Sequence, residues 1–310
     1  MGNSAAQLEQ ALVEIRNVLV TIDDDSDIHI TGEIYNSNFD PIQIDDLAGA
    51  IFDTTGNLLA AASTTVLGRY LDPGEVTPFR ITMTNPIEGI ANVTRYELFV
   101  NAQAVAPEGF YDLVIAETHE TYVDTSGFFH LVGEITNNSD ESLDIELVAG
   151  LYDEAGTVLD AASTGLAVYA LAPGETLPYD FLYWGPINYK DEVFDQTDSY
   201  SVQWDPYWTW TSSTEYVAVP VNEISTEFDD YYATYTGEIL NNTETPLSGG
   251  VVIISLYNKN NGALVATNYE MFFDEIPVDG QADYDIYIDI SSDWDLTNLE
   301  AQIIAKGELP

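Results

Sequence analysis

The side chains that do acid–base, metal and nucleophilic chemistry are supplied very unevenly in this chain. It has 53 Asp and Glu, three His and no Cys. Thiolate nucleophiles, thiolate metal sites and disulfides are therefore excluded. The histidines are His29, His119 and His130, and no His-x-x-x-His pair or Ser/His/Asp arrangement can be read around them. His29 and His130 stand at the same offset before Gly32 and Gly133. Strand alternation, with Ile28 and Ile30 facing a core, turns His29 to solvent. Two carboxylates about 5–10 Å apart in a cleft would suit a glycosidase. Among so many acids that spacing arises by chance, and no catalytic residue is assigned. The expectation is that the chain is not an enzyme.

The densest acid run is Asp23-Asp24-Asp25-Ser26-Asp27. Ca²⁺ takes six to eight oxygen ligands, and loop aspartates are common donors, so Asp23, Asp25 and Asp27 are candidate Ca²⁺ ligands. The run lacks the EF-hand spacing, and the competing reading is a solvated hairpin tip. No other cofactor is expected. Asn92, Asn137 and Asn241 each begin an Asn-x-Ser/Thr sequon and are candidate glycosylation sites. Asn137 and Asn241 recur at one repeat position, where plain turn chemistry also favours Asn.

Four of the five tryptophans fall between residues 179 and 210. Trp184, Trp204, Tyr207, Trp208 and Trp210 form a candidate interface or ligand-binding set, because aromatic faces anchor protein interfaces and stack on sugar rings. Each large ring left in water forgoes roughly 1.5–3 kcal/mol of burial energy. The rings of 204–210 are therefore expected to be mostly buried, against the following repeat or another subunit.

Charge removes several function classes. The 53 acids face 7 Lys and Arg, a formal net charge of −46. Nucleic-acid phosphates and anionic membrane surfaces are repelled. Brine, divalent cations, neutral glycans and other proteins, including further copies of this chain, remain compatible. No apolar run approaches the length of a membrane span, so no membrane insertion is expected, and Met1 to Gln10 does not read as a signal peptide. Apolar residues make up 45% of the chain, enough for packed cores.

Three landmarks recur in fixed order, which is the signature of an internal repeat. The first is Gly32-Glu33-Ile34-Tyr35-Asn36, Gly133-Glu134-Ile135-Thr136-Asn137 and Gly237-Glu238-Ile239-Leu240-Asn241. The second is Ile51-Phe52-Asp53, Leu151-Tyr152-Asp153 and Leu256-Tyr257-Asn258, each followed by a glycine turn. The third is Pro73-Gly74-Glu75, Pro173-Gly174-Glu175 and Asp279-Gly280-Gln281, each leading into a strand. Tyr284, Ile286, Ile288 and Ile290 alternate with polar or exposed-type residues, as do Phe79, Ile81 and Met83, which is the pattern of half-buried antiparallel strands. The expected fold is all-β, with three tandem immunoglobulin-like β-sandwich domains at 1–107, 108–213 and 214–310 and boundaries near Pro107 and Ser213. Each repeat should open with one long strand, at 11–22, 110–122 and 215–227. Ala5 to Arg16 is the best helical candidate.

These landmarks resemble the FxLYD domain family, most closely at Gly150-Leu151-Tyr152-Asp153. Repeat one departs from the pattern with Ile51-Phe52-Asp53, and repeat three with Leu256-Tyr257-Asn258. The resemblance implies an exported prokaryotic protein, an immunoglobulin-like sandwich and a modular, non-catalytic role. The expectation is thus an extracellular or cell-surface structural and interaction protein, a rod of modules that assembles into a filament by strand addition through Ala5–Ile22 or Leu299–Lys306. The alternative is a carbohydrate-binding module using residues 179–210.

Repulsion among this many carboxylates is relieved by screening or by bound cations. The melting temperature should therefore rise with NaCl and with CaCl₂ and fall back when a chelator removes the calcium; a flat response to all three would contradict it.

Overall fold

The computed structural model describes residues 13–23, 26–84, 95–106, 110–183, 195–229 and 231–310. Asp25, Asn92, Pro107 and Trp184 lie outside the described residues. Within them the chain is all-β, with one short 3-10 turn at Leu296–Asn298. Val13 to Arg16, part of the helical candidate, is strand. Its alternating Val-Glu-Ile-Arg suits a pleated surface better than a helix.

Repeat one contains β1 (Val13–Ile22), β2 (Ile28–Asn36), β3 (Ile42–Phe52), β4 (Leu58–Thr64), β5 (Tyr70–Leu71), β6 (Val76–Met83) and β7 (Arg95–Ala104). One antiparallel sheet has the order β1-β2-β6. In the other, β3 pairs with β4, β5 and β7. Repeat two contains β8 (Leu113–Ile115), β9 (Glu120–Val123), β10 (Phe129–Asn137), β11 (Leu143–Asp144), β12 (Glu146–Tyr152), β13 (Val158–Gly165), β14 (Thr176–Tyr183), β15 (Ser199–Trp204) and β16 (Trp210–Thr211). Here β14, β8 and β9 all pair with β10, β13 and β15 flank β12, and β11 pairs with β16. Repeat three contains β17 (Tyr216–Ala218), β18 (Val221–Phe228), β19 (Tyr232–Leu240), β20 (Gly249–Asn258), β21 (Leu264–Phe272), β22 (Gln281–Asp289) and β23 (Leu299–Glu308). Its sheets are β18-β19-β22 and β17-β23-β20-β21.

The long first strand is whole only in repeat one, where it bulges between Arg16 and Leu19 and Asn17 takes φ of 55°. In repeat two it breaks into β8 and β9. In repeat three it breaks at Pro220, which has no N–H for the ladder, so β17 joins one sheet and β18 the other.

The chain divides into two compact units that do not follow the repeats. The first comprises the described residues of Met1–Phe110, Leu147–Ser163 and Gly185–Trp208. The second comprises those of Tyr111–Glu146, Thr164–Trp184 and Thr209–Pro310. In the first, Ile28, Ile30 and Ile34 of β2, Ile44 and Leu47 of β3, and Phe79 and Ile81 of β6 form a buried core. Strand β2 is buried on both faces. On its outer face Thr31 Oγ1 donates to the Val158 carbonyl at 2.5 Å. Beside it, Arg80 on β6 donates to both Asp160 oxygens at 3.0 and 3.1 Å. In the second unit, Tyr235 and Ile239 of β19, Ile254 and Leu256 of β20, and Ile286 and Ile288 of β22 share a core with Tyr122 and Val132. The alternations read at Phe79–Met83 and Tyr284–Ile290 therefore place their apolar faces inward.

Each landmark closes a connection. Asn36, Asn137 and Asn241 are buried and occupy equivalent places. Asn36 Nδ2 donates to the carbonyls of Asp40 and Leu71 at 3.0 Å each, and Asn137 Nδ2 to those of Glu141 and Leu171 at 2.8 Å each. Asn241 Nδ2 donates to Thr245 and Ile276 at 3.0 and 2.9 Å. In all three the Oδ1 accepts the amide two residues on, from Asn38, Ser139 and Thr243. The main chain of each Asn also exchanges bonds with the turn of the third landmark, Gly74 and Glu75, Gly174 and Glu175, or Asp279 and Gly280. The landmark glycines sit under a cross-strand ring. Gly32 pairs with Phe79, Gly133 with Tyr179 and Gly237 with Tyr284. A Cβ there would fall 2.7, 2.7 and 2.5 Å from the Cζ of those rings. Glycine is the residue that admits such an approach.

Asn241→Ala would strand two buried carbonyls and the Thr243 amide. The expected loss in urea denaturation is about 2–4 kcal/mol. A change within about 0.5 kcal/mol, typical of surface substitutions, would show that the hook is dispensable.

Candidate functional site

Two sets of residues combine chemistry with definite geometry. The first is a hairpin device that appears twice. In repeat one, Asp23 N donates to Asp27 O, Ser26 N to Asp23 O, and Asp27 N to Asp23 Oδ1 at 2.8 Å. Ser26 takes φ of 67°. In repeat two, Asp124 N donates to Phe128 O, Gly127 N to Asp124 O, and Phe128 N to Asp124 Oδ1 at 2.7 Å, with Gly127 at φ 82°. In each case the second carboxylate oxygen holds the histidine on the returning strand. Asp23 Oδ2 lies 2.9 Å from His29 Nε2, and Asp124 Oδ2 lies 3.5 Å from His130 Nε2.

The other ring nitrogen is engaged too: His29 Nδ1 at 3.1 Å from Thr82 Oγ1, and His130 Nδ1 at 2.8 Å from Asp180 Oδ2. Both histidines are buried. His29 therefore does not face solvent, because residues 147–163 lie on the outer face of its strand. Burial opposes charge on His130, but the bonds to Asp124 and Asp180 outweigh it and lift its pKa to about 9. Burial opposes charge on Asp124 as well, yet its bonds from His130 and Phe128 hold it below the usual range. Burial pushes Asp180 upward, only partly offset by His130. An imidazolium with a carboxylate on each nitrogen has no lone pair for general-base work.

The Ca²⁺ candidates read differently in place. Asp23 spends its two oxygens on the Asp27 amide and His29, so it closes the hairpin. Asp27 follows in the same turn, and Asp25 is outside the described residues. Among the described residues no group of three or more His, Cys, Asp or Glu is gathered in a way that could hold a metal ion. Asn137 and Asn241, candidate glycan acceptors, are buried with both Nδ2 hydrogens donated to carbonyls. They offer no free amide in the folded chain, and turn chemistry accounts for them.

The second set is the aromatic segment. In the first unit Asp205 is buried and accepts from Tyr207 N at 2.9 Å and Arg69 N at 3.3 Å. Burial raises its pKa to about 6, against the pull of those amides. This Asx turn swings Tyr207 and Trp208 over Arg69. The guanidinium lies 4.5 Å from the Tyr207 ring centre and 5.7 Å from that of Trp208. Arg69 is itself fixed, donating Nε to Ile44 O at 3.0 Å and Nη2 to Asp45 O at 3.2 Å. The two rings meet edge to face at 5.6 Å. Trp204 is half-buried against Phe110, which packs on Tyr70.

The expected burial of the segment holds only in part. Tyr207 is 44% exposed and Trp208 37%. Trp210, in β16 of the second unit, is 47% exposed and pairs through its backbone with Asp144. The guanidinium takes up one side of the ring pair and leaves the other in water. Arg69 and Asp205 are the partners that sequence reasoning missed. The Asp-Pro step inside Trp204-Asp205-Pro206-Tyr207-Trp208 is a turn signal that points to Asp205, whereas nothing local points to Arg69.

No family model and no curated protein matches the chain. Among solved structures it is similar to red sea bream transglutaminase at 10% identity, with a TM-score of 0.20 over 60% of this chain and 28% of that one. It is also similar to E. coli alpha-2-macroglobulin at 9% identity and TM-score 0.16, over 96% of this chain and 21% of that one. A third is the CBM22 tandem of Paenibacillus barcinonensis Xyn10C, at 9% identity and TM-score 0.12 over 97% of this chain and 94% of that one. The chain thus spans well under a third of the transglutaminase, and TM-scores this low define no shared fold.

His130 supplies a pH test. Its folded pKa of about 9 stands above the ordinary 6.5, so its contribution is full below about pH 6.5 and is lost as pH rises through 9. Urea stability should decline over that window, and the decline should be shallower in His130→Gln. Equal slopes in the two proteins would remove His130 as the cause.

Proposed function

We propose that the chain is a non-catalytic, extracellular or cell-surface structural and interaction protein. In this reading it is built from three immunoglobulin-like modules of the FxLYD kind, and Tyr207 and Trp208 are its contact surface for another protein, including a further copy of itself. One observation carries the reading: the two rings are propped at the surface by Arg69 and the Asp205 turn. Exposed aromatics fixed in place contact a partner at little entropic cost. The absence of catalysis is supported by His130, whose nitrogens are both occupied. Export fits a cysteine-free, strongly acidic chain.

The filament form of this proposal is narrowed by the sheets. Strand β23, which contains Leu299–Lys306, lies between β17 and β20 in its own sheet and is not spare. Strand β1 is an edge, paired only with β2 among the described strands, and is the place for a neighbour's strand to add. A carbohydrate-binding role is the second reading, favoured by the same ring pair, since two fixed, half-open aromatic faces suit a sugar as well as a side chain.

Negative-stain microscopy and a glycan array, run on the wild type and on the double variant Tyr207→Ala/Trp208→Ala, separate the readings. Self-assembly in the wild type and its loss in the variant supports the protein-contact reading. Glycan binding that disappears in the variant moves the assignment to a sugar. Assembly and binding that ignore the substitution would sink both.

A further inference from the structure

The second unit holds a partly enclosed cavity of about 240 Å³, lined by His130, Asp180, Asp289, Tyr122, Asn268 and Tyr269 among others. Neither the landmarks nor the aromatic segment accounts for it. Its charges do not balance. His130 is shared between Asp124 and Asp180, and Asp289 adds a third carboxylate close enough to repel both of the others. No Lys or Arg lines the cavity. Asp180 Oδ2 accepts from His130 Nδ1 at 2.8 Å, but Asp180 Oδ1 is fully buried and has no hydrogen-bond partner. A buried carboxylate oxygen without a donor is rare in a native fold and calls for an occupant. Asn268 and Tyr122 are already committed. Asn268 Nδ2 donates to Tyr287 O at 2.6 Å, and the Tyr122 ring stacks on His130 at 4.3 Å, so neither is set to supply that donor.

The occupant must bring positive charge and an N–H. A hard metal ion needs six or more oxygens, and the described residues gather no such set. A quaternary ammonium has charge but no hydrogen to donate. The volume is smaller than that of a drug-sized pocket, about 300–1,000 Å³, and the lining mixes rings with carboxylates. We propose that this cavity is a binding site for a small primary amine, an aliphatic mono- or diamine whose ammonium donates to Asp180 Oδ1 and is neutralised by Asp180 and Asp289. Burial holds both carboxylates above their ordinary pKa in the empty cavity, and a bound ammonium would draw them back down.

Isothermal titration with 1,4-diaminobutane, with tetramethylammonium chloride and NaCl at matched ionic strength as controls, tests the site on the full chain. The expected result is saturable one-site binding of the diamine alone, weakened by about tenfold or more in Asp180→Asn and in Asp289→Asn. Asp180 also holds His130, so near-ultraviolet circular dichroism checks that the first variant keeps its packing; if it does not, Asp289→Asn decides. Diamine heats no larger than those of tetramethylammonium, or binding unchanged in the folded variants, would overturn the proposal by showing only diffuse attraction to an acidic surface.

Discussion

A buried asparagine at the end of the second strand of every repeat ties together segments that nothing else in the local sequence connects. Asn36, Asn137 and Asn241 each donate to two carbonyls, one in the loop just ahead and one in the segment leading to the Pro-Gly-type turn. Their main-chain groups then bond that turn directly. Buried loop carbonyls are expensive to leave unpaired, and a chain with no cysteine cannot staple those loops covalently. The amide therefore does the work of a cross-link, and it sets where the third-landmark turn sits. The strand leaving that turn carries the ring that covers the landmark glycine, so the two landmarks are halves of one contact.

The charge pattern follows a similar economy. With 7 basic residues against 53 acids, each cation has many carboxylates competing for it. Arg80 secures Asp160, Arg69 holds two carbonyls beneath the aromatic pair, and Lys306 pairs with Glu175 in the second unit. These pairs are largely removed from solvent, where salt screens them little. The remaining acids stand mainly outside. Asp53 shows the pattern: fully at the surface, with its pKa drawn down to about 2 by bonds from Thr55 and Asn57, it closes the hairpin of the second landmark and needs no counter-ion.

Local pattern made the strands legible, and long-range cover did not. The alternation in Tyr284–Ile290 reported its inner face correctly because the facing elements lie in the same repeat. The same rule misplaced His29. Its strand is covered by residues 147–163, far along the chain, and a period of two says nothing about a second layer. The acid run at Asp23 reads locally as a metal loop or a solvated tip. Its use as a hairpin clasp shows only once His29 is seen to return beside it. The asparagines look like sequons or turn formers because burial is invisible in a four-residue window. The aromatic segment was legible as a feature, while its exposure depends on Arg69, a residue that no spacing rule joins to it.

The exposure of Tyr207 and Trp208 is the physical point on which function turns. Burying a ring is the ordinary route to stability, and about 1.5–3 kcal/mol is forgone for each one left in water. Here the chain invests in keeping them out: a buried aspartate with a raised pKa orients the turn, and one of its few arginines is fixed underneath. A buried carboxylate pushed towards protonation is a cost to the fold, and it recovers only two amide bonds that a neutral side chain would also accept. Stability alone does not explain the arrangement. Holding two aromatic faces in one orientation before any partner arrives does explain it, since preorganised rings lose little freedom on contact.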